Sequence, residues 1–166
     1  ANAVVLSGSI SDNGLGYTLT KVGANLLTLS GANRFSGGLQ VQAGSVVLNN
    51  FASAGTGTIT LGGAGGTASL LANTFTIANP ITLGTGTLSL GNNGGTNQAV
   101  YSGGINLSGN NLTIANSGTT GLTTISGAIT GTGNLVLNAN NTTAGVGINL
   151  SGDVNNVGTI TNSGTG

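Results

Sequence analysis

Four charged side chains, Asp12, Lys21, Arg34 and Asp153, are the only ones in this 166-residue sequence, which also lacks His and Cys. Acid–base catalysis needs two positioned carboxylates, and a Ser or Thr nucleophile needs a neighbouring base. The two Asp residues are 141 residues apart, and the sequence offers no His or Glu as a base. We therefore expect no catalytic residue. Asp12, Asp153 and Lys21 are interpreted as solvated turn charges, and Arg34 as an exposed charge that can contact a partner.

Metal and cofactor sites are also not expected. A metal site needs clustered His, Cys or acidic side chains. The calcium-binding Gly-Gly-x-Gly-x-Asp pattern fails because Thr67 follows the glycine-rich run that ends at Gly66. Gly-Thr-Gly phrases are present, but the Gly-Lys-Ser/Thr of a phosphate loop is not. We predict no cofactor-binding residue, no metal ligand and no cofactor.

Charge and hydropathy restrict the partners. Charged residues make up 2% of the chain and the net charge is zero, whereas nucleic-acid binding requires several phosphate-neutralising cations. No apolar run approaches the ~20 residues of a membrane-spanning helix, and the five aromatic residues are too few for the girdles of a membrane barrel. We expect neither nucleic-acid binding nor direct membrane insertion of this segment.

A short unit recurs along the chain: two apolar residues flank one small residue, and Gly, Asn or Ser follows soon after. Such alternation places both apolar side chains on one face of a short strand. Two columns of these units share a period near 23 residues. The first runs through Ile59, Ile81, Ile105, either Ile125 or Ile129, and Ile148; the second runs through Leu88, Leu112, Leu135 and Val157.

This period predicts an all-β fold, a parallel β-helix (β-solenoid) of about seven coils of roughly 23 residues, stacked at ~4.8 Å. Asn residues that follow the strands, such as Asn92, Asn116 and Asn140, are expected at coil corners, where their amides can hydrogen-bond along the axis. A β-sandwich is the alternative, since some strand spacings are near 8–12 residues, but it leaves the 23-residue register unexplained. No helical apolar periodicity is present.

Residues 19–50, LTKVGANLLTLSGANRFSGGLQVQAGSVVLNN, closely resemble the passenger-associated transport repeat of bacterial autotransporters. The shared residues are Leu19-Thr20-Lys21, Gly23, Leu27 to Gly31, Asn33, Ser36-Gly37-Gly38, Val41 and Ala43-Gly44. The departures are Asn25 for Gly, Arg34-Phe35 for Thr-Tyr and Leu39 for Thr. The resemblance implies a right-handed β-helix that is exported by a Gram-negative bacterium through a C-terminal β-barrel. It also implies that the β-helix is displayed on the cell surface or secreted.

The leading hypothesis is that residues 1–166 form a single β-helix segment of a longer passenger, a non-enzymatic shaft of an autotransporter-type adhesin. Its expected partners are flanking coils, or identical subunits stacked end to end, and a host-cell or matrix surface. The alternative is a subunit of an extracellular filament that assembles head to tail. A carbohydrate-active β-helix is suggested by fold analogy alone. An ice-binding face is disfavoured because the Thr56/Thr58, Thr85/Thr87 and Thr130/Thr132 pairs do not follow the 23-residue period.

Overall fold

The computed structural model describes residues 2–63, 65–143, 145 and 147–165, and within them it contains strands and turns but no helix. Most strands have three to six residues and are followed directly by Gly, Asn or Ser, as the repeated unit predicts. The strands are β1 (Val4–Leu6), β2 (Leu19–Lys21), β3 (Leu26–Leu29), β4 (Leu39–Val41), β5 (Gly44–Leu48), β6 (Ile59–Leu61), β7 (Thr67–Ala72), β8 (Thr76–Ile77), β9 (Ile81–Leu83), β10 (Thr87–Asn92), β11 (Gln98–Tyr101), β12 (Ile105–Asn106), β13 (Leu112–Asn116), β14 (Leu122–Ile125), β15 (Ile129–Thr132), β16 (Leu135–Ala139), β17 (Ile148–Leu150), β18 (Val154–Val157) and β19 (Ile160–Asn162).

The strands form three parallel sheets that run along the axis of a β-solenoid. Sheet A has eight strands in the order β1-β3-β5-β7-β10-β13-β16-β19, and sheet B has seven in the order β2-β4-β6-β9-β12-β15-β18. Sheet C has four, β8-β11-β14-β17. The prediction of a parallel β-solenoid is confirmed. The seven strands of sheet B enclose six turns, close to the predicted seven, and sheet A has one strand more.

The two predicted columns are correct in their central parts and wrong at their ends. In sheet B, Ile59, Ile81 and Ile105 are in register, and the column continues through Ile129, one of the two residues predicted for this place, to Val154 rather than to Ile148. In sheet A, Leu88, Leu112 and Leu135 are in register, and the next member is Ile160. Val157 instead pairs with Thr132 in sheet B. The last turn is longer than 23 residues, so extrapolation of a constant period selected the wrong residues.

One side of the solenoid changes its construction along the axis. We call it the third side: it consists of residues 7–18, 30–38 and 49–58 in the first coils and of sheet C from β8 onward. Backbone hydrogen bonds stack the early segments, for example from Arg34 N to Ile10 O and from Thr56 N to Phe35 O. The first coils therefore have two sheets and a third side made of turns, and the later coils have three sheets.

Apolar side chains from all sides fill the interior. Leu29, Leu61 and Leu70 have no exposed surface, and Phe35 closes the core beneath the third side with 2% exposed. Each such side chain contributes about 1.5–3 kcal/mol through burial. Ordering a whole coil costs more than its own apolar residues supply, so each coil depends on its neighbours.

Candidate functional site

Several chemically distinctive side chains lie in the first coils, and Asp12, on the third side, is the first of them. Asp12 is only 6% exposed, so its interpretation as a solvated turn charge was wrong. Its carboxylate accepts hydrogen bonds from the backbone N–H groups of Gly14, Gly16 and Tyr17 in its own loop. It also accepts the backbone N–H and the hydroxyl of Ser36 in the next coil, both at 2.8 Å. Asp12 therefore connects two coils.

These hydrogen bonds favour the charged carboxylate. The backbone N–H of Ser36 is the largest cause that lowers the pKa of Asp12 well below its ordinary value, and the Ser36 hydroxyl and the loop N–H groups add to it against the opposing effect of desolvation. A carboxylate whose acceptor sites are engaged in this way has a structural role. Asp153, in contrast, is exposed beside β18, as expected.

Lys21 is also buried, with 9% of its surface exposed, and its interpretation as a solvated charge was wrong too. It is in register with Val41, whose next partner is Leu61, so its aliphatic stem occupies an inward position of sheet B. Its Nζ donates to the carbonyl oxygens of Val22, Gly23 and Ala43 at 2.9, 2.6 and 3.1 Å. Desolvation lowers the pKa of Lys21. The ammonium group closes the core at the β2 edge.

Asn side chains bridge coils, as predicted, but most of them bind backbone groups rather than one another. Asn33 accepts a hydrogen bond from Ile10 N at 2.8 Å and donates one to Ser53 O at 2.7 Å, so one amide connects three consecutive coils. Asn116, with no exposed surface, donates to the carbonyls of Gly121 and Gly147. A direct amide contact between coils joins Asn73 to Asn49. Backbone carbonyls are the commoner acceptors because coil corners leave them without ladder partners.

The Ser36-Gly37-Gly38 phrase is explained by close contact between coils. A Cβ atom on Gly37 would overlap the carbonyl group of Gly16, and one on Gly38 would overlap the carbonyl oxygen of Thr58. Gly38 also has a φ of +97°, a backbone angle that residues other than Gly rarely adopt. The phrase therefore supplies a hydrogen-bond donor for Asp12 and two positions at which the backbones of adjacent coils approach closely.

Tyr101 is a buried polar residue that the sequence reasoning missed. It has no exposed surface, and its hydroxyl donates to Gly91 O at 2.7 Å inside the core. Burial raises the pKa of Tyr101 above its ordinary value. Its place at an inward position of the Gln98–Tyr101 alternation was the available signal, but that alternation could not be assigned to a face from the sequence alone.

The remaining distinctive side chains of the third side face solvent. Arg34 is exposed, as expected, between the buried residues Asn33 and Phe35. Tyr17 and Phe51 are 64% and 67% exposed. Beside Phe51 lies an open cavity of about 330 Å³, lined by Phe51, Ala52, Gly55, Thr56, Ala78, Asn79 and Pro80.

Two kinds of feature are absent from the described residues. No group of three or more His, Cys, Asp or Glu side chains in residues 2–63, 65–143, 145 and 147–165 is placed to hold a metal ion. Over the same part of the chain, no helix is long and apolar enough to cross a membrane.

Fold and side-chain arrangement define a class: an all-β parallel solenoid whose third side is fixed by Asp12 and Asn33 in its first coils. Residues 19–48 of this solenoid match the model of the passenger-associated-transport-repeat family. The matched stretch folds as β2 to β5 of the solenoid and is similar to the transport repeat of autotransporter passengers. No curated protein and no solved structure matches the chain.

Proposed function

We propose that this chain is part of the non-enzymatic shaft of an autotransporter passenger, displayed on or secreted from a Gram-negative cell and carrying an adhesive region. The observation that carries the proposal is the transport repeat at residues 19–48, which continues without interruption into the strand ladders of sheets A and B. A continuous parallel ladder resists extension because its coils share hydrogen bonds and a common core.

Two side-chain arrangements support the non-enzymatic part of this proposal. The Asp12 carboxylate is engaged by Ser36 and by its own loop, so it is not free to act as a base. The Lys21 ammonium group is engaged by three carbonyl oxygens. Both groups are accounted for by structural roles.

Surface labelling tests the shaft proposal. In intact Gram-negative cells that express the parent gene, an antibody against residues 1–166 should label the outer surface, and added proteinase K should remove the label. A second antibody against the passenger region farthest from the cell should label at a greater distance from the membrane. Label that appears only after the cells are permeabilised would contradict the proposal.

The ends of the solenoid favour a second candidate, end-to-end association. Val4 and Ile160 occupy inward columns of sheet A in register with Leu27 and Leu135, yet they are 54% and 52% exposed. Apolar side chains at open strand edges are suited to contact with further coils or with an identical subunit. Flanking coils are the covering we favour, and stacked copies would produce a filament.

Negative-stain images of purified residues 1–166 separate these coverings. Filaments that disappear in the Val4→Lys variant, and persist in the Phe51→Lys variant, would support stacking of copies. Phe51 is a suitable control because it is 67% exposed and follows β5, which lies between β3 and β7 and not at an open edge of sheet A. Short rods at every protein concentration would exclude stacking and leave flanking coils as the covering.

A further inference from the structure

The sequence contains two Asn-Gly pairs, Asn13-Gly14 and Asn93-Gly94. In such a pair the main-chain nitrogen of Gly can attack the side-chain amide carbon of Asn, because the product is a five-membered ring and Gly has no side chain that hinders the approach. The attack requires that the main-chain N–H loses its proton. A hydrogen bond that holds this proton therefore protects the Asn, and the two pairs can be compared by the partner of the Gly N–H.

The first pair is held by the Asp12 carboxylate. Gly14 N donates to Asp12 Oδ1 at 2.9 Å, and the other carboxylate oxygen accepts from Gly16 N and Tyr17 N, both at 3.0 Å. Loss of the Gly14 proton would place a second negative charge next to this carboxylate, which is electrostatically unfavourable. Asp12 thus protects Asn13 from attack by Gly14 N.

The second pair lies in the corner between β10 and β11 and is open. Asn93 is exposed, and its main-chain N donates to Ala72 O at 2.9 Å. Within the part of the chain that the structure describes, no hydrogen bond is donated by Gly94 N. A Cβ atom added to Gly94 would meet nothing within 4 Å, so water has access to this position. Nothing comparable to the Asp12 contact holds the Gly94 proton.

We propose that Asn93 is a modification site, at which the folded chain converts Asn to aspartate or isoaspartate without an enzyme. Gly94 N loses its proton to hydroxide and attacks Asn93 Cγ. The new C–N bond closes a succinimide ring, and the side-chain nitrogen takes a proton from water and leaves as ammonia. One water then opens the ring. Cleavage of the new bond gives aspartate, and cleavage of the original peptide bond gives isoaspartate.

The modification changes both charge and main-chain length in this corner. The net reaction consumes one water and releases one ammonia, and it adds a negative charge to a chain whose net charge is zero. Isoaspartate also inserts a methylene group into the main chain before Gly94. Gly94 O accepts hydrogen bonds from Asn97 N and Asn97 Nδ2 at 3.3 and 3.0 Å, and Asn97 directly precedes β11. Isoaspartate should therefore loosen the start of β11 in sheet C.

Peptide mass spectrometry of the purified 166-residue chain, incubated at pH 8 and then cut with trypsin, tests this proposal. Trypsin cleaves after Lys21 and Arg34, so the two Asn-Gly pairs are recovered in different peptides. We expect acid at Asn93 to form about tenfold faster than at Asn13, or more, which is the factor that corresponds to one hydrogen bond to a charged group. A sample taken before incubation corrects for acid formed during digestion.

Two variants and one solvent change isolate the cause. Asn93→Gln keeps the amide but needs a larger ring, so acid should no longer form at this position. Asp12→Ala removes the acceptor of the Gly14 proton and should accelerate the reaction at Asn13 while the rate at Asn93 is unchanged. In concentrated urea the wild-type rates at the two positions should become equal. This comparison needs no variant, so it decides the matter even if Asp12→Ala does not fold.

Three outcomes would overturn the proposal. The first is equal rates at Asn13 and Asn93 in the folded chain. The second is a difference that persists in urea, because the neighbouring sequence rather than the fold would then set it. The third is aspartate without isoaspartate, which would indicate direct hydrolysis of the amide. The proposal does not depend on the shaft function, since the labelling experiment can fail while Asn93 is modified, and the reverse is equally possible.

Discussion

The first and the later coils of this solenoid solve the same problem in different ways. Both must hold a third side against sheets A and B. The later coils use a backbone ladder, β8-β11-β14-β17, in which two to four residues of each strand pair with the next strand. The first coils combine backbone hydrogen bonds between turns with individual side chains: Asn33 bridges three coils, and Asp12 joins its loop to Ser36. The lesson is that stability is distributed along a ladder in one region and concentrated in a few residues in the other.

This difference predicts how the two regions tolerate change. In solenoids each coil contacts only its neighbours, so stability is nearly a sum of local terms and one region can open before another. A substitution at one concentrated contact should open the first coils. A substitution at an equivalent backbone position of the later coils should have a smaller effect. Urea unfolding and hydrogen exchange of variants in the two regions measure this difference.

The largest effect is expected at Gly38, compared with Gly104. Both residues directly precede sheet B strands, at corresponding positions of their coils. Gly38 has a φ of +97°, and a side chain there would overlap Thr58 O, whereas a Cβ on Gly104 would meet only Ala128 O at 3.7 Å. Gly38→Val should therefore destabilise the protein by ~3 kcal/mol or more.

The control, Gly104→Val, should cost well under half of that value. Urea midpoints of the two variants measure the difference. Equal losses would show that the contact between coils is not tighter at the transport repeat than in the later coils.

Asn33→Leu should have the next largest effect. Asn33 is only 1% exposed, so its loss leaves Ile10 N and Ser53 O without a hydrogen-bond partner and out of reach of water. Each unpaired buried group costs about 1–3 kcal/mol. Hydrogen exchange should accelerate in residues 7–18 and 30–38 before it does in sheet C.

The same substitution at Asn111 is the control for Asn33. Asn111 accepts a hydrogen bond from Asn134 N at an exposed position, where water can replace it, so Asn111→Leu should change the free energy of unfolding by under about 1 kcal/mol. Uniform acceleration of exchange along the whole chain in Asn33→Leu would contradict local opening.

Tyr101→Phe tests the later coils at a single buried group. The substitution keeps the ring and removes the hydroxyl that donates to Gly91 O, so we expect a loss of about 1–2 kcal/mol. Tyr17→Phe, at a ring that is 64% exposed, should be nearly neutral. A neutral Tyr101→Phe would indicate that Gly91 O finds another donor, and thermal midpoints of the two variants decide this point.

The sequence was sufficient for the fold but not for the roles of its charges. The alternation in Leu27-Thr28-Leu29 and the shared period revealed parallel strands, because strand stacking repeats both. The same reasoning placed Lys21 and Asp12 in solvent, since charges in turns usually are. Their burial depends on contacts with other coils, Ala43 O for Lys21 and Ser36 for Asp12. Such pairing across coils needs the exact register, and the register varies where the third side changes from turns to strands.

Acidification should loosen the first coils slightly and leave the later ones unaffected. Hydrogen bonds from Ser36 and the loop N–H groups hold the pKa of Asp12 in the folded state below its unfolded value, which is about 3.9. A depressed carboxyl pKa stabilises the fold fully above that unfolded value, and the contribution is lost as pH falls below it toward the folded pKa.

Hydrogen exchange in residues 7–18, compared at pH 6 and pH 3 after correction for the intrinsic exchange rate, should show added opening at pH 3. Asp12→Asn should remove that pH dependence, and Asp153→Asn, at an exposed carboxylate, should retain it. The same pH dependence in sheet C would refute the link between Asp12 and the turn-built third side.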